Sequence, residues 1–167
     1  LLIALGTSKP DTPKPTPLDT FLGDHPIAKT FLTAAKPNPV SFASLPYYAV
    51  NAFKLTNTDG KAAFVRYQIV PAEGEHYLSD ADAKAAAASY LSDEIKKRVG
   101  EGPVAFTLVA QIADAGDKVD DPSLAWPADR KTVPLGTITL TKSAGDDAAN
   151  KELVFMPNAV PAGIEAA

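Results

Sequence analysis

The chain has 167 residues, 46% of them apolar and 22% charged, which is enough for one folded domain with a buried core. Its net charge of −4 excludes the basic face of a general nucleic-acid binder, and the absence of cysteine excludes disulfides, thiolate metal sites and thiol nucleophiles. No apolar run reaches the roughly 18 residues that cross a bilayer as a helix, so no membrane partner is expected.

The opening LLIAL lacks a basic segment before it. It reads as the last turn of a helix or strand begun upstream, ahead of the remnant of an export signal. Gly6 to Pro17, with four prolines, predicts an exposed extended connector. Leu18 to Lys36 is helical in pattern: Asp19 or Thr20 caps a first short helix, and His25-Pro26 opens a second. Ile27, Phe31 and Ala34 or Ala35 give that second helix one apolar face. Pro37 and Pro39 end it, and Asn38 to Pro46 is a loop.

Tyr48 to Thr56 alternates as a strand, with Asn51, Phe53 and Leu55 on the inward face. Asn57-Thr58-Asp59-Gly60 is a turn, and Lys61 to Val70 returns antiparallel. In that return strand Ala63, Val65, Tyr67 and Ile69 share a face opposite Phe64, Arg66 and Gln68. Ser79 with Asp82 signals a helix start, and Leu91, Ile95 and Val99 form a stripe ended by Gly100 and Gly102. A break near Ser89 would divide this region into two helices. Val104 to Ile112 is apolar on both faces and predicts a central strand. Ala113 to Arg130 is a long polar connection carrying the only tryptophan, of a length that usually covers a sheet edge or a ligand. Val133 to Lys142 is a further strand, Ser143 to Asn150 a turn and Lys151 to Phe155 a short strand. From Pro157 the chain leaves in loop with no terminating element.

Few residues carry chemistry on spacing alone. His25 and His76 have no acid cluster at ligand spacing and read as helix-entry and loop residues. No nucleophile elbow and no glycine-rich phosphate loop is present. Asp120-Asp121 is read as solvated connector ahead of a cation site. Tyr47 and Tyr48 are read as core-filling strand-entry aromatics ahead of iron ligands. Trp126 is read as a plug over the sheet edge ahead of a ligand-stacking ring. Asn51 is the one polar residue that alternation points inward, where an unbonded amide costs about 1–3 kcal/mol. It is either bonded to backbone or water, or it orients something at a cofactor.

Four ordered stretches carry a family resemblance. VNAFKLTNTDGKAAFVRYQIVPAEG resembles the strand–turn–strand segment of the haem catalase family, in the form of its small, catalase-related peroxidase branch. LSDADAKAAAASYLSDEIKKRVGEGPVAFTLVAQIADAGDKVDDPSLAWP resembles the family's helical insertion, next strand and connector ending in W-P. KTVPLGTITLTK and ELVFMPNAVPAGIEAA resemble the following strand and the F-x-P…P-x-G-I-E signature. The implied fold is α+β: an antiparallel catalase-like β-barrel, here its second half with helical insertions. Residues 1–40 are expected as a proline-rich connector with helices, and residues 41–167 as the half-barrel with its insertion at 79–100.

The family's distal histidine lies in an R-x-x-H motif and its proximal tyrosine in an R-x-x-x-Y helix. The chain is expected to begin after the first and end before the second. The resemblance therefore implies a segment of a haem-dependent catalase-related peroxidase, acting on hydrogen peroxide with a reductant, and inactive in isolation. No catalytic or metal-binding residue is carried over. The haem wall is carried over to Ala49, Val50, Asn51, Pro122 and Phe155. Asn51 falls where larger members place a histidine bonded into the proximal arginine network. Without that arginine helix Asn51 is expected to be exposed or bonded to water or backbone. Trp126 matches a residue that borders a nicotinamide-nucleotide site in larger members, but the rest of that site is not recognisable. The alternative is a non-enzymatic half-barrel that binds a partner chain or an apolar ligand, or self-associates through its open strand edges. The branch favours a periplasmic over a cytoplasmic setting.

Overall fold

A computed structural model of the chain describes residues 1–145, 148–156 and 159–167, with the side chains of 148 and 149 left out. It divides into two compact units, Leu1–Lys36 and Pro37–Ala167. The first holds three short helices: α1 (Leu2–Thr7), α2 (Pro17–Asp24) and α3 (Pro26–Thr33). The cap of α2 is Thr16, not Asp19 or Thr20. Its hydroxyl accepts from the Asp19 amide while the Asp19 carboxylate accepts from the Thr16 amide. This reciprocal pair with Pro17 in the first turn starts the helix inside the stretch expected to be extended. None of the three helices buries a residue fully, and Ile27 and Phe31, expected to form a packed face, are exposed.

The second unit is built on an antiparallel sheet. After a 3-10 turn at Phe42–Ser44 come β1 (Tyr47–Tyr48), β2 (Phe53–Thr56) and β3 (Ala62–Pro71). The helices α4 (Asp80–Ala85) and α5 (Tyr90–Glu101) follow, then β4 (Val104–Ile112), β5 (Thr132–Leu140), α6 (Ala148–Lys151) and β6 (Ile164–Ala166). The strand order is β5-β4-β3-β2-β6, with β1 pairing β3 beside β2. The described strands make an open sheet, not a closed barrel.

The hairpin turn forms because the Asn57 side-chain oxygen accepts from the Asp59 and Lys61 amides while Gly60 takes φ 77°. Strand β4 is central, paired to β3 on one side and β5 on the other. Pro134, which cannot donate to a ladder, sits on edge strand β5 where the register shifts opposite Leu108/Val109. The insertion is two helices, α4 capped by Ser79 and α5 beginning after the break at Ser89.

Opposite faces of the sheet are covered by different parts of the chain. Residues paired across strands share a face, which places Val65, Tyr67 and Ile69 of β3 with Ile112, Ala110 and Leu108 of β4. On this side Phe106 and Val104 meet Val99 and Ile95 of α5, with Ala43, Ile69 and Ile138 completing the core. The other face, at Arg66 and Gln111, receives the connector between β4 and β5.

Three expectations are corrected. The strand foreseen from Tyr48 to Thr56 is interrupted over residues 49–52, and Asn51 is exposed rather than inward. The alternation is broken because β1 and β2 pair separately with β3, around Gln68 and Ile69 in one case and Ala62 to Val65 in the other. The short strand at Lys151 to Phe155 is absent: α6 occupies Ala148–Lys151, and residues 153–156 lie on no ladder. The end of the chain, expected as loop with no terminating element, instead carries β6, which pairs with β2 in the register Phe53↔Ala166, Lys54↔Glu165, Leu55↔Ile164. Part of the turn expected at Ser143 to Asn150, and the start of the loop at Pro157, lie outside the described residues.

Candidate functional site

A cleft of about 230 Å³ opens between three parts of the second unit. Val50, Asn51, Ala52 and Phe53 come from the link between β1 and β2, Val119, Asp120 and Pro122 from the long connector, and Ala166 and Ala167 from the end of β6. The Ala167 amide donates to the Ala52 carbonyl at 3.1 Å, which fixes the terminal residues against the link. The cleft thus exists because β6 pairs with β2 and because the connector folds back over the sheet.

The connector is held by a set of polar side chains. Arg66 of β3 is 5% exposed and donates through one terminal nitrogen to the Leu124 carbonyl at 2.6 Å and through the other to the Asp121 carbonyl at 3.0 Å. Its guanidinium lies 4.4 Å from the ring centre of Trp126, a cation–π arrangement. The Trp126 indole donates to the Lys118 carbonyl at 2.8 Å, and Gln111 of β4 donates to the Pro127 carbonyl at 3.0 Å. At the far end Arg130 forks onto Asp117, with contacts of 2.8 and 3.0 Å. Burial pulls the Arg66 guanidinium down from its ordinary value, against the opposing charges of Asp121 and Asp117.

Hydrogen bonding from Arg130, and then from the Asp114 amide, holds the Asp117 carboxyl below the ordinary value of 3.8. A carboxylate whose folded value is depressed contributes stability above its unfolded value and loses it as pH falls through the folded one. The Arg130–Asp117 clasp is therefore expected to be intact at neutral pH and to release only below about pH 4, as carboxylates protonate. Trp126, the sole tryptophan, reports this directly: its fluorescence should be flat from neutral pH down to that range and change below it. A transition near neutrality would reject the clasp as its cause.

Of the residues carried over from the sequence, Val50, Asn51 and Pro122 meet at the cleft. Ala49 is half-buried beside it and donates its amide to the Tyr67 carbonyl at 2.9 Å. Phe155 is not brought there; it is 89% exposed and lies on no strand. Trp126 is buried on the connector, clasping the sheet through Arg66. Tyr47 donates to the Phe42 carbonyl and stacks edge-on against Phe106, but both it and Tyr48 are exposed, so neither fills the core as expected. Asp120 lines the cleft, and the Asp121 carboxylate accepts from both the Ser123 amide and hydroxyl. His25 stacks on Phe21 at the junction of α2 and α3. Sequence reading missed Arg66 and Gln111. Their faces also carry Gln68 on β3 and Thr107 on β4, so polarity at those positions did not single them out.

The donor set tests what the cleft can hold. A metalloporphyrin needs a flat apolar slot and an axial donor to the metal. Val50, Phe53, Val119 and Pro122 provide apolar surface, but among the described residues the only side-chain donors or acceptors in the lining are Asn51 and Asp120. Among the described residues no cluster of histidine, cysteine, aspartate and glutamate could hold a metal ion. These residues suit one apolar wall of a flat ligand; they do not fit the task of holding iron.

The comparisons agree with the architecture. A family model described as Catalase matches residues 25–167. A catalase-related peroxidase of Mycolicibacterium paratuberculosis is 38% identical over 168 residues, covering 96% of this chain and 52% of that protein. A catalase-related peroxidase of Synechococcus elongatus is 34% identical over 160 residues, covering 95% of this chain and 47% of that protein. The chain thus spans about half the length of these relatives. A solved bacterial catalase shares the fold at 17% identity with a TM-score of 0.75, over 98% of this chain and 35% of that one. The sheet with its inserted helices is accordingly part of a catalase fold, and the chain belongs to the catalase family.

Proposed function

We propose that the chain is a segment of a haem-dependent catalase-related peroxidase and that it supplies one apolar wall of the haem pocket. The observation that carries this reading is the cleft itself: Val50, Asn51 and Pro122, three positions matched to the family's haem wall, converge there from two separate parts of the chain. The names of the two relatives point the same way. In this reading haem would supply the redox chemistry with hydrogen peroxide and a reductant, while this chain's residues bind and enclose. Val50 and Pro122 offer apolar contact and exclude water, and Asn51 places a neutral amide at the rim. Ala49 holds the link to β3 through its backbone. Phe155 stands outside the cleft and is not part of the proposed wall.

The test is a porphyrin titration of the full chain followed by absorbance, run with haemin and with metal-free protoporphyrin IX. A wall without an iron ligand binds the two with similar affinity and shows no peroxide turnover with haemin. Val50→Asp, at an exposed position, should weaken both by about tenfold through loss of one apolar contact. Tight binding specific to the iron form would overturn the absence of a ligand, and no binding of either would overturn the wall.

A further inference from the structure

Arg66 and Gln111 face each other across β3 and β4 and are both buried, at 5% and 8% exposure. A cation and an amide inside a sheet are costly unless they are bonded. Both donate to the backbone of one connector, not to each other or to the sheet. The two carbonyls that Arg66 takes, on Asp121 and Leu124, bracket Pro122, and Asp121 directly follows Asp120. Pro122 and Asp120 line the cleft. The Arg66 Nε is buried without a partner among the described residues, so its grip on the connector rests on the two terminal nitrogens and on Trp126. A planar fork serves two carbonyls at once, which a lysine ammonium on a flexible stem does not.

We propose that Arg66 is a positioning residue for the cleft: by fixing the Asp121 and Leu124 carbonyls it sets where Val119, Asp120 and Pro122 stand against Val50 and Asn51. No other side chain of the sheet reaches the stretch from Asp121 to Leu124 with two bonds among those described. The role rests on the cleft being the porphyrin wall proposed above, but its first readout needs no ligand.

The experiment compares the full wild-type chain with Arg66→Lys and Arg66→Met. Native-state hydrogen exchange is followed at the Ser123 and Leu124 amides, which are bonded within the connector, and at the amides of β3 and β4. In both variants the connector amides are expected to exchange about tenfold faster or more while the sheet amides stay close to wild type, because charge-assisted bonds to the connector alone are lost. Trp126 should become more accessible to acrylamide in parallel. Lysine keeps the charge and should not restore protection, which separates the fork from simple charge balance. Protoporphyrin IX affinity should fall by about tenfold in Arg66→Lys.

Connector exchange within about twofold of wild type in Arg66→Lys overturns the proposal, as does a loosened connector with unchanged porphyrin affinity. If Arg66→Met does not fold, Arg66→Lys decides alone. A wild type that binds no porphyrin, with a connector that still loosens on substitution, removes the haem-wall reading and leaves the positioning of the connector by Arg66 standing.

Discussion

Phe106→Ala is expected to destabilise the sheet unit by about 3–5 kcal/mol, the cost of deleting a large buried aromatic side chain with its cavity. Phe106 is 5% exposed and sits where three elements meet. It pairs across the sheet with Pro71 on β3 and Ile138 on β5. It packs with Val99 and Ala43, and its ring meets the edge of Tyr47 at 6.2 Å. No single neighbour can collapse into the space without breaking contact elsewhere. A domain of this size has about 5–15 kcal/mol in total, so the variant should lose a large share of its stability and unfold at a clearly lower urea concentration. Urea unfolding read by both circular dichroism and Trp126 fluorescence measures the change, and Phe106→Leu should recover most of it. A loss below about 1 kcal/mol would mean that the α5 face is not the core of the unit.

Fold and sequence agree most closely where a local pattern and a tertiary partner coincide. Val104 to Ile112 is apolar on both faces, and it is an interior strand, paired to β3 on one side and β5 on the other. Ser79 with Asp82, and the stripe ending in Val99, also behave as their spacing predicts, because capping and helical burial are decided within a few residues. The failures within the sheet share one cause. Tyr48 to Thr56 alternates well enough to read as one strand, yet β3 is gripped at two separate places and the residues between them are released. Ile164–Ala166 has no strand signal of its own length; it becomes a strand only because β2 offers an edge. Thr16 carries no cap signal on pattern alone because its flanking prolines read as connector, although Pro17 suits a first helical turn.

The candidate site was legible in a different way. Spacing alone named only Asn51, and for the wrong reason: it was expected inward, and it stands exposed at the rim of the cleft. The family resemblance supplied Val50 and Pro122, which lie 72 positions apart and could not have been joined by any local pattern. It gave no hint of Arg66. A buried cation in a strand has no periodicity to betray it, and its partners here are main-chain carbonyls, which every sequence possesses. Trp126 was read as a plug, but the physical link is more specific: its ring faces a guanidinium that is itself bonded to the residues before it.

Gly163→Ala should cost about 2–3 kcal/mol and detach β6, for two separable reasons. Gly163 has φ 85°, a region that side chains other than glycine's rarely adopt. A Cβ there would also lie 3.1 Å from the Thr56 carbonyl oxygen. That oxygen belongs to β2 and cannot withdraw freely, since the same two residues are joined by the Thr56 amide donating to the Gly163 carbonyl at 2.8 Å. The glycine of the P-x-G-I-E stretch is thus the point where the chain turns against β2 before pairing with it. Gly60→Ala is the natural control: φ is 77° but nothing lies within 4 Å of the added carbon, so only the conformational cost of about 1–2 kcal/mol applies. The excess of Gly163→Ala over Gly60→Ala measures the Thr56 contact. Its consequence reaches the cleft, because Ala166 and Ala167 line it and the Ala167 amide is bonded to Ala52. Faster exchange of the Thr56 amide by about tenfold, together with weaker protoporphyrin IX binding, is the expected pair of results. Equal costs at the two glycines would show that β6 accommodates the extra carbon, and that the turn into the last strand does not set the position of the cleft's third side.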